Sequence, residues 1–479
     1  MDMGLQYGAT KEIDQFLDDV VEQIQYKPVR NEIKEELAAH IEDRKAEYIL
    51  QGMETSAALK KAIENMGNAV EIGVHLNKVR KVQKNPFIVI LIVLLMCIGI
   101  AGSVRVRRFP SNSSSLTDIS YFFYGLTIFF LTYHFGYENI VKNNKIYFKV
   151  IVGALLFCLA FFMIQRISVL ELIRLRKPQI LFAWELMIIP IIINMAYYYK
   201  NKKNKSIQLT TLIVAAIILC NSLRFNDFFV SANFILLLTI SSTLLYMVVT
   251  GMLEGNVRNQ LFTWLIGFGI MLAVFLATFS GNWKREFQQC FYPEKVVKNF
   301  RDDSYNSILI KDLLGKSKLI GQINLSQDEL RSYFTSEWYF KNLDDFDYNY
   351  RMQYIDNGDV TQLEDILPVH YQTNYRIAYS MIKYGLLPSA AIILIMTAVY
   401  IMLIRMVCKI NNKIGKVLAF SCVFALVLQF LLYMFGNFGF QFGWFCNLPF
   451  VSEGHSSIIT NAVLAGLACS AYRYDKVFK

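Results

Sequence analysis

Residues 386–407 read LLPSAAIILIMTAVYIMLIRMV, and the first charged side chain among them is Arg405. A helix rises about 1.5 Å per residue, so twenty such residues reach across the roughly 30 Å hydrocarbon core of a bilayer. Lipid offers the backbone no hydrogen-bond partners, which leaves a helix as the conformation for a run of this kind. The pattern recurs: nearly uncharged stretches lie at about 86–102, 119–136, 146–164, 179–198, 207–223, 229–250, 260–279, 386–407, 416–435 and 457–472. With 54% hydrophobic residues among 479, the chain is too apolar for an ordinary soluble protein. The fold class this predicts is all-α, a polytopic membrane protein with ten transmembrane helices, preceded by a small cytoplasmic helical bundle.

The net charge of +10 sits largely in the connections and orients the chain in a membrane, with no argument for nucleic acid. Lys78, Arg80, Lys81 and Lys84 precede the first run; Lys200, Lys202, Lys203 and Lys205 follow the fourth. Arg405, Lys409, Lys413 and Lys416 lie around the eighth connection, and Arg473, Lys476 and Lys479 close the sequence. Ten spans put all four clusters on one side, so both ends are expected in the cytoplasm of a multi-pass cell-membrane protein. Arg105, Arg107, Arg108 and Arg174, Arg176, Lys177 are a minority on the other side. No secretory signal precedes the first run, which starts only after some 85 polar residues. Six cysteines fall within or beside spans and read as small core residues, while Cys290 and Cys446 fall outside, where they could pair. The five histidines are scattered and show no metal-ligand spacing, so no cofactor is evident.

The first 85 residues form a separate unit. Thr10 is a candidate N-cap, and Ile13, Phe16, Leu17, Val20, Val21 and Ile24 recur at helical spacing. Pro28 suits the first turn of a second helix with Ile33, Leu37, Ile41 and Tyr48 on one stripe, ending at Gly52. A third carries Ala58, Leu59, Ala62, Ile63 and Met66 and stops at Gly67; a fourth starts near Asn68 and runs on toward the membrane. The core "ELAAHIED" and the tail "AIENMGNAVEIG" resemble the HAAS-type, or permease prefix, signalling domain of Gram-positive bacteria. That resemblance implies a regulatory prefix and a PadR-type or other cytoplasmic regulator as partner. The other polar region, about 280–385, is expected outside the cell, with an acidic aromatic patch at 342–350; loops of this length usually carry function.

Before the last run stands "LPFVSEGHSS", residues 448–457. Together with Asn437 and Gly439, this resembles the C-terminal signature of the SEDS family, the FtsW/RodA/SpoVE proteins: Leu448, Pro449, Phe450, Ser452, Gly454, Ser456 and Ser457 match, while Glu453 and His455 depart. Upstream, Glu185 in "FAWELMII" resembles the family's intramembrane glutamate, and Asp227 stands near its Pro-Asp-Leu-Gly turn. In "WKREFQQCFYPEK", Pro293 matches and Arg285 is one place out of register. "YNSILIKDLLGKSKLIG" matches without gaps at Tyr305, Gly315 and Gly321; "LPVHYQTNYRIAYSMIKYGLL" matches at Leu367, Pro368, Thr373, Ala378 and Gly385, with one extra residue between Pro368 and Thr373. The resemblance covers about residues 86–475.

What it implies is cell-wall synthesis in division, elongation or sporulation. SEDS proteins are peptidoglycan glycosyltransferases acting on lipid II, a polyprenyl-pyrophosphate sugar, beside a class B penicillin-binding transpeptidase; lipid II flipping has also been proposed for them. A divalent cation would accompany that chemistry. One departure matters most. At Thr373-Asn374 the family has Thr-Asp, its catalytic residue, and Asn374 replaces it. A carboxylate can take a proton from a sugar hydroxyl; an amide cannot, and losing general-base help costs about 10²–10⁴-fold. The family's downstream glutamates are Ile382 and Lys383 here, with Glu364, Asp365 or His370 nearby. Candidate substrate contacts are Glu185, Arg285, Gly321, Pro368, His370, Ser452, Glu453, His455, Ser456 and Ser457. Arginine forks suit pyrophosphate oxygens, so Arg285 and Arg301 are candidates, against the plainer reading that both anchor loops. Glu453 and His455 either line a polar cavity, or cap the last helix with Ser452. A polymerase and a non-catalytic binding relative both remain open from sequence.

Overall fold

The computed structural model describes residues 2–105, 115–142, 149, 186–224, 230–278, 283–297, 302–335, 362–368, 371, 374–443, 447–451 and 455–477. Among these the ordered secondary structure is helical throughout, with no strand. The chain divides into two compact units, 1–85 with 473–479, and 86–472.

The first unit holds α1 (Asp2–Glu22), α2 (Arg30–Leu50), α3 (Thr55–Met66) and α4 (Ala69–Val79). The apolar stripes meet inside: Val20, Ile24, Ile33, Ile41, Ala58 and Ala62 are all essentially sealed from water. Thr10 lies within α1 and does not start it, because a helix nucleated by its packed segment extends cheaply over residues 2–9. Asn68 caps α4, its side chain accepting from Val70 N at 2.9 Å and Glu71 N at 3.3 Å. That helix ends at Val79 and does not continue toward the membrane run. Arg80, 12% exposed, pairs with Glu36 at 2.7 Å and Glu32 at 3.6 Å on α2. The tail is part of this unit: Gln83 N donates to Arg473 O at 2.9 Å, Tyr474 packs on Tyr26 with ring centroids 5.5 Å apart, and Val477 is fully buried.

The second unit runs through α5 (Pro86–Arg105), α6 (Ser115–Leu131), α7 (Tyr137–Lys142), α8 (Ile189–Tyr198), α9 (Asn204–Arg224), α10 (Val230–Val249) and α11 (Val257–Thr278). It continues with α12 (Trp283–Phe291), α13 (Asp303–Gly315), α14 (Gln327–Thr335), α15 (Leu363–Ile366), α16 (Arg376–Tyr384), α17 (Leu386–Cys408), α18 (Lys413–Asn437) and α19 (His455–Arg473). Five helices among the described residues are long and apolar enough to cross a membrane, namely α9, α10, α11, α17 and α18; Pro86–Ile100 and Ile189–Tyr198 are shorter apolar helices. The run at 146–164 lies outside the described residues apart from Lys149, and that at 119–136 is interrupted by a π-helical turn, Thr132–Gly136. The last run forms α19 but is rich in Ser and Ala; nearly every side chain from Ser457 to Ala471 is buried, so it faces protein and has no need of lipid-grade hydropathy.

Close helix approach is bought with small residues, as in other membrane bundles. A Cβ at Gly267 would stand 2.5 Å from Thr211 Oγ1, bringing α11 against α9, and one at Gly466 would collide with Thr132. Buried polar groups bridge helices: Asn194 Nδ2 donates to Ile140 O at 3.1 Å, and Tyr137 OH to Asn412 Oδ1 at 3.1 Å. Between α11 and α17 the described residues of the expected polar region form the short helices α12 to α16. Cys290 there is buried and its thiol, pushed up to about 11 chiefly by burial, is free; Cys446 lies outside the described residues.

Candidate functional site

The site is built where α16 begins. Pro368 and Leu367 are buried, and a turn follows in which Tyr371 N donates to Pro368 O at 3.0 Å and Tyr375 N to Tyr371 O at 3.1 Å. Tyr375 at the start of α16 offers no side-chain cap. The cap comes from another helix. Asn437, the last residue of α18, accepts from Ile377 N and Ala378 N at 3.0 Å each, and donates to Asn374 O at 2.9 Å and Tyr433 O at 2.9 Å. Tyr433 OH accepts from Arg376 N at 3.1 Å. Three orphan amides of the first turn are therefore satisfied by α18, and Asn374 is clamped by its backbone with its residue half-buried. Gly439 then reverses the chain at φ 79°; a Cβ there would press 2.7 Å from Ser307 O on α13.

Arg376 ties this junction to two further segments, donating to Val451 O at 2.6 Å and Gly99 O on α5 at 3.4 Å. Leu448, Phe450 and Val451 are buried, and Phe450 holds φ 70°, a left-handed conformation costly for an aromatic residue. The Leu-Pro-Phe turn is thus a packed wedge between α5 and α16. Ser457, one turn into α19, is buried and accepts from Asn461 Nδ2 at 3.0 Å.

A polar chain runs from Tyr375 to the short helices. Tyr375 OH donates to Gln441 Oε1 at 2.8 Å; Gln441 Nε2 donates to Gly443 O at 3.2 Å; Gly443 N donates to the buried Glu286 at 3.0 Å. Burial pushes the Asp303 carboxyl above the ordinary aspartate value and the Asp302 charge adds to this, while Asn306, Gln441 and Arg285 pull it back. Arg285 pairs with Asp302 at 3.3 Å, its side chain still 43% exposed. Burial first and the Asp303 charge second push the Tyr375 phenol far up, so it stays a hydrogen donor.

At the other end of α16, Glu364 accepts from Lys383 Nζ at 2.5 Å and Tyr379 OH at 2.9 Å. Burial raises its pKa, but the bonds from Lys383 and Tyr379 outweigh this and hold it below the ordinary glutamate value. Asp365 is occupied too, accepting from Gln362 N at 2.8 Å to cap α15. Neither carboxylate is a ready base.

Gly321 makes a turn at φ 88° and donates to Tyr384 O at 2.8 Å. Tyr384 is eight residues along α16 from Arg376, about 12 Å by helical rise, so Gly321 is not beside Asn374. Thr373, His370, Glu185, Asp227, Arg301, Ser452, Glu453 and Gly454 lie outside the described residues, as does the acidic patch at 342–350; of His455 and Ser456 only the helical backbone is described. Among the described residues, no three His, Cys, Asp or Glu side chains gather as a metal site. Sequence reasoning missed Asp303 and Gln441; Asp302, next to Asp303, caps α13, its side chain accepting from Ser304 N at 3.1 Å. The structure therefore joins Asn374, Pro368, Asn437 and the Leu448–Val451 turn, with Glu286 at the far end of the polar chain and Arg285 paired with Asp302.

No curated protein matches the chain. Residues 358–477, the block that carries Asn374, Asn437 and the Leu-Pro-Phe wedge, match the family model of the FtsW/RodA/SpoVE cell cycle proteins, and over that block this multi-pass membrane protein is similar to them.

Proposed function

We propose that this chain is a SEDS-like protein of the bacterial cell membrane that binds a polyprenyl-pyrophosphate sugar of the lipid II type without polymerising it. The observation that carries the reading is Asn374: an amide side chain, on a backbone held by Asn437, where the resemblance places a catalytic aspartate, with the two upstream carboxylates already occupied by Lys383, Tyr379 and Gln362. Both chain ends lie in the cytoplasm in this reading, with residues 280–385 outside. Residues 1–85 act as a HAAS-like prefix that contacts a cytoplasmic regulator of the PadR type, and a class B transpeptidase is the membrane partner.

A second reading, an active lipid II polymerase, rests on Asp303. Its raised pKa suits a general base, and Gln441, the partner of Tyr375 beside Asn374, is among the polar groups that pull it back. Purified full-length protein with lipid II separates the two. Binding without glycan strands, and strands from Asn374→Asp alone, support the first reading. Strands from the unsubstituted protein that vanish in Asp303→Asn overturn it in favour of the second. Transfer of labelled lipid II across vesicles would instead make the protein a flippase, and absence of binding would end all three.

A further inference from the structure

Leu319 and Ile320 are among the most exposed apolar residues of the chain, at 66% and 70%. They stand on the connection between α13 and α14, and the backbone fixes where they sit. Gly321 N donates to Tyr384 O at 2.8 Å and Ile323 N to Ile382 O at 3.1 Å; in return Leu386 N donates to Lys318 O at 2.9 Å and Leu387 N to Leu319 O at 3.0 Å. Segment 318–323 is thus laced to the residues that open α17, a membrane-spanning helix. The lacing is tight. Gly385 has φ 101°, and a Cβ there would lie 2.7 Å from both Ile320 Cα and Leu319 O, so no other residue lets the knuckle sit this close.

The outer side of α17 shows what surrounds it. Leu387, Ala391, Leu394, Ala398 and Ile401 are all exposed, at the three- and four-residue spacing of one helix face. On a spanning helix, such a stripe meets acyl chains. Leu319 is hydrogen-bonded to the top residue of that stripe, so the knuckle continues it beyond the end of the helix. Tyr384, 47% exposed, supplies an amphipathic ring at the same level, and the exposed Lys318 immediately before the two apolar residues adds positive charge, while Lys316 is taken up by Asp312, Glu329 and Tyr333. Aromatic rings and long cationic side chains are the groups that settle at the headgroup level, with aliphatic side chains just beneath.

We propose that Leu319 and Ile320 form a lipid-binding wedge, inserted at the boundary of headgroups and acyl chains in the leaflet where α17 begins. The wedge ties the α13–α14 region to the bilayer at a fixed depth. It is independent of which lipid-linked substrate the protein takes.

The test places tryptophan at 320 or, separately, at 319 in the full-length protein in phosphatidylcholine nanodiscs, whose two faces are both open to solutes. The signal of the five native tryptophans is subtracted using the unsubstituted protein. Asp328→Trp, on the exposed face of α14, is the water-facing reference. Expected for Ile320→Trp and Leu319→Trp is blue-shifted added emission, lost when the acyl chains carry bromine and resistant to iodide. Quenching by iodide equal to that at 328, with no effect of brominated lipid, overturns the wedge. Resistance to both quenchers also overturns it, and would assign the knuckle to a protein contact. Two positions are used so that misfolding of one variant, seen by gel filtration, leaves the other to decide.

Discussion

Replacing Asn437 by alanine removes the side chain that closes the first turn of α16. Two buried amides, Ile377 N and Ala378 N, lose their acceptor, and the Asn374 carbonyl loses its donor. An ordinary capping residue contributes about 0.5–2 kcal/mol, because water replaces it when it is lost. Here water cannot: Ile377 is 3% exposed and Ala378 not at all. Each buried group left unsatisfied costs about 1–3 kcal/mol, so two of them give about 2–6 kcal/mol, and about 3 kcal/mol, in the lower half of that range, allows for local relaxation of the turn. The cost falls locally, on opening of the 371–378 turn. At 1.4 kcal/mol per tenfold, it raises amide hydrogen exchange at 377 and 378 by about a hundredfold. Hydrogen-exchange mass spectrometry on the full-length protein reads this directly. Asn437→Asp keeps an acceptor for both amides and should stay within about tenfold of the unsubstituted protein. Unchanged exchange in Asn437→Ala would refute the reasoning, since it would mean that α16 is capped by something other than α18.

Lys383→Met leaves Glu364 partly buried with one donor, and a hydrogen bond to a charged group contributes about 1.5–3 kcal/mol. Because Glu364 is held below the ordinary glutamate value, its contribution is present above the unfolded value of 4.5 and lost as pH falls through the lower folded value. Melting curves of the two proteins should therefore separate at neutral pH and converge in acid; a constant offset would show that the charge is not responsible. In the other unit, Tyr474→Ala empties a buried ring site against Tyr26, at about 3–5 kcal/mol on the large-to-small scale for aromatics. Exchange in α1 and α2 should accelerate while α16 is unaffected, and protection of the bundle unchanged from the parent would remove the tail from it.

Much of the helical skeleton was legible in advance, because lipid and water impose opposite demands that show as composition. The apolar runs at 207–223, 229–250, 260–279, 386–407 and 416–435 all became spanning-grade helices, with ends shifted by a few residues. The stripes of the first unit buried at their centres, while Ile13, Phe16, Tyr48, Ile63 and Met66 stay half-buried, and Gly67 and Asn68 marked a helix end and start. Where sequence reading fell short, the cause was an interaction distant in the chain. Nothing around Thr10 says that α1 reaches back to Asp2, and nothing in the tail says that Tyr474 belongs with Tyr26, 448 positions away.

The candidate site divides in the same manner. Residue type alone settled that position 374 holds an amide and that Lys383 carries a positive charge, since these are properties of side chains wherever they sit. Only the tertiary structure decided that Asn437 caps a helix it does not belong to, that Lys383 and Tyr379 take up Glu364, and that Gln441 takes the hydroxyl of Tyr375. Hydrogen bonds and ion pairs of this kind need donor and acceptor within about 3 Å, and that condition is met by the packing of spans against the short helices, which no local pattern encodes.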